Sequence, residues 1–98
     1  MRTIKNMVCL IKEEIHDAEK YYIEILKTED RKEKETYSFI GLQELEHAMK
    51  LHDLVVTLIK EKQAQGVSIP AGMQEIWNME HVDIVENVSD LKTKLTKY

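Results

Sequence analysis

Apolar residues recur along this chain with the period of an α-helix and not of a strand. Counted at about 100° per residue, Ile4, Met7, Val8, Ile11, Ile15, Ala18, Tyr22, Ile25 and Leu26 fall on one face of a first segment. Tyr37, Ile40, Ala48, Leu51, Val55, Leu58 and Ile59 do the same in a second segment. Met73, Ile76, Trp77, Ile84, Val88, Leu91 and Leu95 do so in a third. Each stripe belongs to an amphipathic helix with one face to bury. Residues 1–65 contain no proline, and one unbroken helix of that length would run ~98 Å at ~1.5 Å per residue, so the chain must fold back. The reversal is expected in KTEDRKEKET (27–36), where eight of ten residues are charged and none is aliphatic. Within it, Asp30 followed three residues later by Glu33 is the capping-box pattern that opens a helix. Gly66, Pro70 and Gly72 mark a second reversal. The pattern predicts one all-α domain over 1–98, with helices at about 3–27, 30–64 and 72–97. A long antiparallel hairpin is followed by a third, C-terminal helix.

Polar residues that fall on those stripes carry the chemical information, because charged side chains are rarely buried unpaired. Glu44 lies at the centre of the second stripe, among Ile40, Ala48 and Leu51, and His47 lies about 60° to one side, still facing in. Glu14 borders the first stripe, whereas Glu13 points away. A turn near residue 29 sets residues whose numbers sum to about 58 at equal height, which pairs Glu14 with Glu44, Ile11 with His47 and Tyr21 with Tyr37. Two inward carboxylates and an imidazole therefore share one layer. An unpaired buried carboxylate costs several kcal/mol, and none of the three stripes contains Lys or Arg. Protonation, a Glu–His pair or a metal ion remains, and Glu with His suits iron, manganese or zinc. In helix-bundle di-iron proteins, two helices give one Glu each and two others give Glu-x-x-His. This chain supplies half of that set, so the arithmetic points to a homodimer holding two metals with four Glu and two His. Dimerisation of the hairpin would then complete a four-helix bundle.

EEIHDAEKYY in the first helix and LQELEHAMKLHD in the second resemble the rubrerythrin and ferritin-like superfamily. The step of 30 residues from Glu14 to Glu44, then three to His47, is similar to that in the half-length encapsulated ferritins. The resemblance covers about residues 3–60. It implies a ferritin-like bundle, Glu14, Glu44 and His47 as ligands of a di-iron, ferroxidase-like centre formed on dimerisation, and Tyr21 beside that centre. Encapsulated ferritins carry a cargo-targeting tail after the hairpin, where this chain has a third amphipathic helix ending SDLKTKLTKY. A full rubrerythrin adds a four-cysteine site, which the single Cys9 excludes.

Composition narrows the function further. One cysteine suits a reducing, cytoplasmic setting and rules out a disulfide framework. No apolar run reaches the ~20 residues of a membrane span, and MRTIKNMVCLIKEEIHD turns charged too soon for a signal peptide. A net charge of −4 argues against nucleic acid as a partner. Glu80 also sits at the centre of its stripe, and a turn near residue 69 sets it level with Leu58, so it could join the metal layer from a partner chain as an extra ligand, or sit at a dimer edge beside His81. Gly41, one turn from Glu44, leaves room either for a metal or for close helix packing. His52 and His16 read as flank or surface residues, and Cys9 as a bystander thiol. Two other functions compete with the di-metal reading. One is a metal-free helical oligomerisation module in which the Glu/His layer fixes register; the other is a zinc or manganese hydrolytic site, for which no separate general base or oxyanion donor is visible.

Overall fold

The computed structural model describes residues 4–98; Thr3, where the first helix is expected to start, lies outside the described residues. Helix α1 spans Ile4–Lys27, α2 Arg31–Ala64 and α3 Ala71–Leu95, with no strand among the described residues. None of these helices is long and apolar enough to cross a membrane.

Asp30 stands just outside α2 as its N-cap and accepts the Glu33 N–H at 3.1 Å. The return leg of the capping box runs through a hydroxyl. The Asp30 N–H donates to Thr28 Oγ1 at 3.1 Å, and the Thr28 hydroxyl donates to the Glu33 carboxylate. The elbow is therefore only residues 28–30, closed by a cap of about 1 kcal/mol. At the other end of α2, Gly66 N–H bonds to Gln63 C=O at 3.1 Å and Val67 N–H to Lys62 C=O at 2.9 Å. That pair of bonds is the Schellman stop, and it needs a left-handed residue, which Gly66 supplies at φ +72°. Gly66→Ala should lower stability by about 1 kcal/mol through backbone strain. Gly72, which has open space around its Cα and no positive φ, should accept Ala without loss. Paired urea titrations check the contrast. Helix α3 begins one residue earlier than expected, directly after Pro70, and stops at Leu95, two residues short of the expected 97.

The three helices form a rod of 55 × 19 × 18 Å. The α1–α2 register is the expected one, with the Tyr21 and Tyr37 rings 6.2 Å apart. Helix α3 runs antiparallel to α2 and covers one groove of the hairpin, where Ile11, Ile15, Val55, Trp77, Ile84 and Leu95 are buried.

Two expectations about the stripes fail. Leu26 is 61% exposed, because the α1 contacts with α2 and α3 are already filled by Ile25 at that level. More consequentially, the buried stripe of α2 is Ser38, Gly41, Leu45, Ala48, His52, Val55 and Ile59, turned roughly 60° from the expected face at 100° per residue. Contacts from α3 explain the turn. The Ser38 hydroxyl donates to Leu95 C=O at 2.6 Å. A Cβ on Gly41 would meet Leu95 Cδ1 at 3.0 Å, so this glycine admits Leu95 and not a metal. His52, expected at the flank, is buried with its ring 5.0 Å from that of Trp77. Tyr37, Leu51 and Leu58 slide to the edge of the core.

Candidate metal centre

Glu44 and His47 stand one turn apart on α2, as residues three apart in a helix must. The hairpin register brings Glu14 of α1 against both. One ligand atom from each of the three lies within 4.8 Å of the others, and His47 Nδ1 is 3.7 Å from Glu14 Oε2. The cluster sits on the shoulder of the hairpin and not in a sealed core layer. Leu45 and Ala48 take the inward positions, so Glu44 is only half-buried and His47, expected to face in, has a side chain 57% exposed. Glu14 is likewise half-buried, and its Oε2 is buried without a hydrogen-bond partner.

Glu14 perturbs the Glu44 carboxyl. A hydrogen bond to Glu14, then burial, then the negative charges of Glu14 and Asp17 push Glu44 from its ordinary 4.5 up to about 7, with His47 pulling the other way. Asp17 was not singled out in the sequence, although it follows Glu14 by three and so shares its face. It lines a hollow of about 400 Å³ with Lys20, Tyr21, Glu24 and Glu44. Lys20, the one cation there, is engaged with Asp17 at 3.8 Å.

Because Glu44 holds its proton more tightly when folded, the folded chain binds more protons than the unfolded one between pH 4.5 and about 7. Its contribution to stability is present below 4.5 and lost as pH rises through 7. The melting temperature of the metal-free protein should therefore fall between pH 5 and 8, and fall less in Glu44→Gln. Circular-dichroism melts at both pH values measure the difference; equal falls in the two proteins would contradict the coupling.

The remaining candidates disperse. Tyr21 is half-buried and lines the hollow beside Glu44. Glu80 lies in the other groove, where it pairs with Lys12 at 2.9 Å; within one chain it does not approach the cluster. Glu13, Cys9 and His16 are exposed.

Compared with protein-family models, with curated proteins and with solved structures, the chain matches none.

The donor set itself fits a metal. Two carboxylates and an imidazole converge, their chemistry suits iron, manganese or zinc, and a cation would satisfy the orphaned Glu14 oxygen. Three protein donors also leave coordination positions open for further ligands.

Proposed function

We propose that this is a ferritin-like di-metal carboxylate protein that binds iron, with manganese or zinc as chemically allowed substitutes, at a site completed by a second copy of the chain. The convergence of Glu14, Glu44 and His47 on the outward shoulder of α1 and α2 carries this reading. A half-set held there can meet the same three groups of a partner, giving four Glu and two His for two ions. Ile40, Leu51 and Leu58, half-buried, and Leu54, exposed, flank the cluster on α2 and supply apolar surface for the partner hairpin.

Held by Glu14, Glu44 and His47 of two chains, an iron pair would supply electrons to oxygen or peroxide, which is ferroxidase-like chemistry. The chain's own part is to hold and release a proton. Glu44 shares one with Glu14 below pH 7 and must give it up to a cation, so affinity rises as pH increases through about 7. Tyr21 is the phenol beside the hollow. One observation favours a second reading: Glu44 already meets its charge problem by holding a proton, as it would in a metal-free oligomerisation module.

Elemental analysis with sedimentation separates the two. After anaerobic incubation with Fe(II), the metal reading expects a species of twice 11.5 kDa carrying one iron per chain. A metal-free species of that mass, unchanged by Fe(II), would select the module, and an iron-free monomer would defeat both.

A further inference from the structure

A second group of metal-ligating side chains lies away from the Glu/Glu/His cluster. His52 of α2 and His81 of α3 flank Trp77, with ring centres 5.0 Å from His52 to Trp77, 5.6 Å from Trp77 to His81 and 6.2 Å from His52 to His81. His52 follows His47 by five residues, ~140° further round α2, so the two imidazoles serve different grooves. His52 is nine-tenths buried. Its Nδ1 is 3.1 Å from Asp53 Oδ1, and since a carboxylate only accepts, Nδ1 carries the hydrogen. That leaves Nε2 pointing into the fold, buried and without a partner.

An unpartnered buried ring nitrogen is costly as an ornament of a core. A carboxylate holding Nδ1–H while Nε2 is free is, on the other hand, the arrangement that orients and strengthens a histidine as a metal ligand. The spacing to His81 agrees. With metal–nitrogen bonds of about 2.0 Å, each ring centre lies ~3.2 Å from the ion, so two imidazoles on one ion have centres ~4.5 Å apart at a right angle and ~6.4 Å in line. The observed 6.2 Å lies near the in-line end of that span, the trans arrangement of a tetragonal Cu(II) site, and beyond the ~5.2 Å that tetrahedral Zn(II) would set. We propose that His52 and His81 bind Cu(II) in the α2–α3 groove, tying α3 to the hairpin. Imidazole suits this ion, and Cu(II) heads the affinity order. The site stands independently of the iron reading, because it shares no residue with the Glu14, Glu44 and His47 cluster.

Trp77 is the only tryptophan and touches both rings, so it reports on this site alone. In a Glu44→Ala/His47→Ala background, which removes the other cluster, Cu(II) should quench Trp77 fluorescence saturably at one equivalent per chain. A chelator such as EDTA should remove the ion and restore the emission. His52→Phe, which keeps an aromatic ring in the core, and His81→Gln, at a half-buried position, should each weaken the quenching ten-fold or more while far-UV circular dichroism is unchanged. Quenching that is unsaturable, or equally tight in His81→Gln, would overturn the assignment even if His52→Phe failed to fold.

Discussion

Aerobic addition of Fe(II) to Glu44→Ala should produce no stoichiometric ferric absorbance, while the wild-type chain develops it in proportion to iron added up to one per chain. Glu14, Glu44 and His47 bring their ligand atoms within 4.8 Å of one another, so loss of Glu44 leaves one carboxylate and one exposed imidazole, half of the carboxylates that an iron site here would need. The helices should survive. Position 44 is on the shoulder, Ala is the best helix former, and the proton that Glu44 must otherwise carry near neutral pH disappears with it. Stopped-flow absorbance with a parallel far-UV spectrum checks both halves. Identical iron traces from the two proteins would remove Glu44 from the ligand set.

The largest stability effect is expected at Leu95→Ala. Leu95 is fully buried at the last turn of α3. It fills the notch over Gly41, and its carbonyl receives the Ser38 hydroxyl. Truncating a fully buried leucine costs about 2–5 kcal/mol through lost transfer energy and the cavity left behind. For a chain this short the total is about 5–15 kcal/mol, so a large fraction goes with one side chain. Gly41→Ala should restore part of the loss in the double variant, because the new methyl group enters the emptied notch instead of meeting Leu95 Cδ1 at 3.0 Å. A urea midpoint shift worth under about 1 kcal/mol for Leu95→Ala would mean that the end of α3 does not pack on α2 in this way.

The hairpin was legible because its determinants are local or periodic. Asp30 and Glu33 announce the start of α2 three residues apart, and one short elbow fixes the register that sets Tyr21 against Tyr37 and Glu14 against Glu44. The face that α2 buries was not legible. Its inward row passes through Ser38, Gly41 and His52, residues that a count of apolar positions skips, and each is inside because of one α3 group: Leu95 C=O, Leu95 Cδ1 or the Trp77 ring. Those partners are 57, 54 and 25 residues away in sequence. The same long-range packing moved His47 out to solvent and left Glu44 on the edge, so the three ligand candidates were found but their depth was not. Glu80 was placed by its own stripe, without knowledge that Lys12 of α1 would meet it.

A rod nearly three times as long as it is wide turns the mode of association into a hydrodynamic quantity. Two rods joined flank to flank, as a centre on the α1–α2 shoulder requires, keep the maximum dimension near 55 Å and become rounder, so the frictional ratio drops even as the mass doubles. Rods joined at their tips would double the length and tumble far more slowly about the short axis. Small-angle scattering in solution thus reads which face of the molecule is sticky without reference to any metal.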